Sequence, residues 1–103
     1  MTNHVRMGIY SITKGTYDEL IEEARQGLAP ILRDSPGFVF YSATDVGGGR
    51  FVSVSTWETR AQAEAAAAKS AEWVSANMVD SIALQENLIG EMTTLAATER
   101  SAV

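Results

Sequence analysis

The sequence predicts an α+β fold in which two β-α-β units interleave, in the order βαββαβ, into one four-stranded antiparallel sheet with both helices on one face. Three observations carry that expectation. Strand-like runs recur at 4–12, 38 to about 45, 49–57 and 88–95, most of them alternating in side-chain character from residue to residue. Two capping signatures, Thr16 with Glu19 and Thr59 with Gln62, each open a run with helical spacing. Short connections carrying Gly or Pro join these runs, and no linker divides the 103 residues, so a single domain over 1–103 is expected. The order is that of the ferredoxin-like split βαβ pattern.

The first strand puts Val5, Met7 and Ile9 on one face and Arg6, Gly8, Tyr10 and Ile12 on the other. Lys14-Gly15 turns the chain into the first helix. Leu20, Ile21, Ala24, Leu28, Ile31 and Leu32 form its apolar stripe, and Asp18, Glu22, Glu23 and Arg25 its solvated side. Pro30 falls inside the stripe and is expected to kink the helix or restart it as a short final turn, before Pro36-Gly37 ends it. Gly47-Gly48-Gly49 joins strands two and three as a hairpin. The alanine run 65–68 lets the second helix approach the sheet closely, and Ser70 is a candidate start for a second segment carrying Trp73, Val74, Asn77 and Met78. The tail from Ala96 is expected to fray.

Strand three is the most informative run. Phe51, Ser53, Ser55 and Trp57 share one face, Val52, Val54 and Thr56 the other, and neither is charged before Glu58. Such a strand needs cover on both sides, yet the chain has helices enough for one. A second copy packed on the bare sheet face, a homodimer, follows as the expectation. The net charge of −5 and eight scattered Lys and Arg exclude a nucleic-acid surface. The absence of cysteine removes disulfides, thiolate metal sites and cysteine nucleophiles, and suits a cytoplasmic protein. No apolar stretch approaches the roughly 20 residues of a membrane span. One histidine, His4, makes a metal site an unsupported expectation. The three glycines precede a strand, not a helix, so they are no phosphate cradle.

Lys14-Gly15-Thr16, Pro36-Gly37-Phe38 and above all Phe51 followed by Trp57-Glu58-Thr59 resemble the antibiotic-biosynthesis-monooxygenase-like family of dimeric α/β barrels. That resemblance covers nearly the whole chain in order of elements. It implies two ferredoxin-like protomers packed sheet to sheet, with a pocket in each between sheet and helices. It also implies membership of a group that includes monooxygenases oxidising phenols or quinols without a cofactor, haem-degrading oxygenases, and proteins with no assigned activity. Where many members carry a glutamate before the strand-three tryptophan this chain has Ser55, and a histidine of the next helix falls within the alanines 65–68. The asparagine, tryptophan and histidine of the haem-degrading branch fall at Gly8, Ala66 and about Ala76, which disfavours haem degradation.

The candidate pocket-lining residues are Trp57, Tyr10, Ser55, Trp73 and Asn77. Trp57 offers a ring for stacking and an indole N–H, and Tyr10 a hydroxyl. Trp73 and Asn77, four residues apart, would present a ring and an amide on one helical face. Ser55 shares the Trp57 face, as does Ser53, but no neighbouring base makes either a nucleophile. Arg6 or Arg50 would stabilise an anion if either reached inside. No catalytic residue can be assigned, no cofactor is expected, and the expected partners are a second copy and a small aromatic molecule. A non-catalytic ligand-binding dimer is the alternative reading.

Overall fold

A computed structural model describes residues 2–98. The elements run β1 (His4–Ile12), α1 (Tyr17–Gln26), α2 (Leu28–Arg33), β2 (Phe38–Gly47), β3 (Arg50–Trp57), α3 (Arg60–Asn77) and β4 (Ile82–Glu91). The four strands form one open antiparallel sheet in the order β2-β3-β1-β4, the ferredoxin-like α+β arrangement. Both capping boxes form. The Thr16 hydroxyl accepts from the Glu19 N–H at 3.2 Å while the Thr16 N–H donates to the Glu19 carboxylate at 3.0 Å. Thr59 and Gln62 repeat the same pair of bonds at 3.2 and 3.0 Å. Each cap contributes about 1 kcal/mol to holding its helix start in place.

Three boundaries depart from the sequence expectation. The first helix breaks at Gly27 and restarts as α2. Pro30 is then the third residue of α2, where a backbone N–H has no acceptor within the helix, so proline is tolerated there. Ser70 does not interrupt α3, which is continuous over 18 residues; that serine is buried, a small side chain where the helix lies on the sheet. The last strand is Ile82–Glu91, not 88–95. A turn in which the Ser81 and Ile82 N–H groups bond the Met78 carbonyl delivers the chain to the sheet at once. Apolar Ile82-Ala83-Leu84 is followed by Gln85-Glu86-Asn87, because β4 is an edge strand with little cover, so apolar alternation is missing. Residues 96–98 carry no regular structure, and the rest of the expected frayed tail lies outside the described residues.

Two clusters make the core between sheet and helices. Tyr10, Leu20, Phe51, Met78 and Ile82 form one, Leu28, Leu32, Trp57, Ala63 and Ala66 the other, and Trp73 packs against both. Gly27 makes that bridge feasible, since a Cβ there would lie 2.5 Å from Trp73 Cζ2. Register places Val5, Met7 and Ile9 beside Thr56, Val54 and Val52 on the opposite face, where no helix lies. Phe40, Met7 and Leu88 are among the exposed apolar side chains there.

Candidate functional site

α2 and α3 lie against the sheet, and α1 adds Leu20, with Tyr17 and Ala24, to the core cluster around Tyr10 and Phe51. Between α1 and β2 runs a groove of about 450 Å³, lined by Tyr17, Ile21, Ala24, Tyr41 and Ala43 among others. Behind it, and sharing those residues except Tyr17, is a hollow of about 30 Å³ that reaches Tyr10, Phe51, Ser53, Trp73 and Met78. Unexpanded, the hollow has room for about one or two waters. The hollow is apolar and aromatic with a few hydroxyls, the usual character of a small-molecule site, while the groove outside it also carries Asp18 and Arg25.

The polar groups converge from neighbouring strands. Tyr10 projects from β1, its ring stacked on Phe51 at 5.1 Å with 12° between planes. Arg6, two helix-facing steps back along β1, is 3% exposed. Its Nε donates to Asn87 Oδ1 at 2.7 Å and its Nη2 to the Tyr10 hydroxyl oxygen at 3.2 Å. Gly8, between them on the same face, leaves the space the guanidinium uses, because a Cβ there would meet Tyr10 Cε1 at 2.7 Å and Arg6 Nη2 at 2.9 Å. Tyr41, on β2, borders both groove and hollow. Burial pushes its phenol above the ordinary tyrosine value, with the Ser53 hydroxyl and the Arg6 charge pulling the other way and Tyr10 adding to the rise. At the mouth, Tyr17 is also raised, by desolvation first and then by Asp45 and Asp18. Both phenols are therefore neutral hydrogen-bonding groups at ordinary pH.

The five sequence candidates do not share one site. Tyr10 and Trp73 line the hollow. Trp57 is 1% exposed in the second core cluster, its indole N–H donating to Ser55 Oγ at 2.9 Å and its ring edge-on to Phe38 at 5.6 Å. Trp57 and Ser55 thus satisfy each other's polar atoms away from the hollow. Asn77 ends α3 on the surface, its amide donating to the Trp73 carbonyl at 2.9 Å, beside a depression bounded by Lys14 and Glu23. Of the two arginines, Arg6 reaches inward and Arg50 is exposed at the hairpin. His4 is half-buried, and its Nδ1 has no hydrogen-bond partner among the described residues. No group of three or more His, Cys, Asp or Glu is placed to hold a metal among those residues, and no helix is long and apolar enough to cross a membrane.

Tyr41 is the residue that sequence reasoning missed. Strict alternation from Phe38 would put Phe40 on the helix side and Tyr41 outside. A register shift between Phe38 and Phe40 reverses this, pairing Phe38 with Trp57 but Tyr41 with Ser55. Such a bulge leaves no local signature, and only the partner strand's pattern could have located it.

Residues 4–76 match the family model described as antibiotic biosynthesis monooxygenase. Among solved structures, the chain is similar to a mutant of SnoaB, a cofactor-independent oxygenase from Streptomyces nogalater, at 16% identity and TM-score 0.63, covering 94% of this chain and 97% of that one. It is similar to HapK from Hahella chejuensis at 18% identity and TM-score 0.64, covering 92% and 99%. MupZ from Pseudomonas fluorescens gives 11% identity and TM-score 0.68, covering 86% and 71%. At these identities the likeness concerns the fold. No curated protein matches the sequence significantly.

Proposed function

Because this chain belongs to the antibiotic biosynthesis monooxygenase family, we propose that the recess between α1, α3 and the sheet binds a planar phenol or quinol and oxidises it with O₂ without a cofactor. The observation that carries this reading is the convergence on one hollow of three hydroxyls, Tyr10, Tyr41 and Ser53, with the rings of Phe51 and Trp73. In the reaction, the bound phenol gives up its proton, and the electron-rich anion passes electrons to O₂. One oxygen atom ends as a ring carbonyl and the other leaves in water, so a phenol and O₂ become a quinone and H₂O. The chain's share is to hold the ring among aromatic side chains, keep water away and donate hydrogen bonds to the developing anion. An aromatic ligand larger than the hollow occupies the groove with one edge inserted past Tyr41.

Two copies join through the bare sheet face, which is the apolar surface a second sheet would cover. A ligand-binding dimer without catalysis is the second reading, supported by the lack of any histidine or carboxylate along the hollow among the described residues. An oxygen electrode with naphthols and anthrols separates the two. Oxygen uptake with quinone formation, weakened at least about tenfold in Tyr10→Phe, is expected, since one well-placed hydrogen bond to a developing charge is worth that much. Binding without oxygen uptake across the series would favour the second reading.

A further inference from the structure

Arg6 is the one charged side chain buried among the described residues. Both of its hydrogen-bond partners, Asn87 Oδ1 and the Tyr10 hydroxyl, are neutral. The ion pairs among the described residues, Arg25–Glu22, Arg33–Asp34 and Arg60–Glu64, lie on the exposed surface and leave it without a carboxylate. Guanidinium does not deprotonate in proteins, so its positive charge stands in the interior without a counter-charge. A buried charge in that condition is costly, and an anion brought in from outside relieves the cost.

The hydrogen bond to Tyr10 also has a direction. The Tyr10 oxygen accepts from Arg6 Nη2, so its own O–H points elsewhere, and Tyr10 lines the hollow. The guanidinium lies 5.9 Å from the Tyr10 ring centroid. Gly8 is the residue that allows this placement. Tyr41 and Ser53 add hydroxyls to the same hollow.

We infer that Arg6 makes the hollow selective for an ionised oxygen: by holding Tyr10 with its proton turned to the ligand, it favours a planar ligand bearing a carboxylate or an acidic phenol over the neutral isostere. Arg6 is a positioning residue that acts through Tyr10. This inference rests on the recess being a ligand site.

Calorimetric titration of the full chain tests it with two matched pairs at neutral pH: naphthoate against naphthamide, and dinitronaphthol, which is ionised, against its methyl ether. The wild-type protein is expected to bind at least one anion about tenfold or more tightly than its neutral partner, and the pair showing the larger ratio tells a carboxylate from a phenolate. Arg6→Met abolishes the ratio by weakening anion binding more than binding of the neutral partner, and Arg6→Lys keeps part of it. Equal binding of anion and neutral partner in both wild-type pairs overturns the inference but not the ligand site. So does a ratio that survives in folded Arg6→Met. If Arg6→Met does not fold, Tyr10→Phe, which keeps the cation, decides: a diminished ratio supports action through Tyr10 and an undiminished one overturns it. Failure of all four probes to bind removes the ligand site itself, and this inference with it.

Discussion

At the scale of single residues, Gly8 governs what its neighbours can do. Its missing Cβ is the space into which Arg6 and Tyr10 lean toward each other. Gly8→Ala therefore forces apart the pair that hydrogen-bonds at 3.2 Å. Urea unfolding should show a loss of about 1–3 kcal/mol, the usual penalty of overpacking an interior. Trp57 is a contrasting case. Its N–H is satisfied by Ser55 and its ring is enclosed by Leu28, Leu32, Ala63 and Ala66. Trp57→Ala should lose about 3–5 kcal/mol of stability. The alternation of β1 and β3 made it legible that Tyr10, Ser55 and Trp57 look toward the helices. That face alone could not tell which side chain meets a cavity and which meets another side chain, because that depends on where α1 leaves a gap.

At the scale of elements, the break between α1 and α2 shapes the recess. Gly27 sits where the two helices part, with the Trp73 indole pressed against it. Gly27→Ala should displace the indole by its clash, lowering stability by about 1–3 kcal/mol and shifting tryptophan emission as Trp73 is dislodged. Unchanged emission and unchanged urea midpoint would mean that the close approach does not constrain the ring. The capping boxes were readable in the sequence because hydroxyl, carboxylate and amide sit at fixed spacing from one another. The helix break was legible in kind, through Pro30, but not in place, since the residue that yields is the glycine under an indole from α3. The edge strands were the hardest to read. β4 lacks the apolar alternation that cover would impose, and the β2 bulge moves Tyr41 to the helix side without any local signal.

At the scale of the whole molecule, the sheet has helices on one face and apolar side chains on the other. Phe40 is 59% exposed, and Met7 and Leu88 lie on the same side of the sheet. A homodimer through this face should sediment at about twice the 11.1 kDa of the chain. Phe40→Glu should return it to monomer, because a carboxylate stranded in an apolar interface is strongly unfavourable. A wild-type chain that sediments as a monomer at micromolar concentration would remove the sheet-to-sheet pairing.

In the proposed site a ligand enters between α1 and β2 and meets Tyr10, Tyr41 and Trp73, whereas the indole of Trp57 is a packed core ring. The two tryptophans make that directly measurable. Trp57→Phe leaves Trp73 as the only fluorophore of its kind, and Trp73→Phe leaves Trp57. On titration with a naphthoate or naphthol that binds the wild-type protein, emission should change strongly in the variant retaining Trp73 and little in the variant retaining Trp57. The reverse pattern, a response from Trp57 with Trp73 silent, would contradict it.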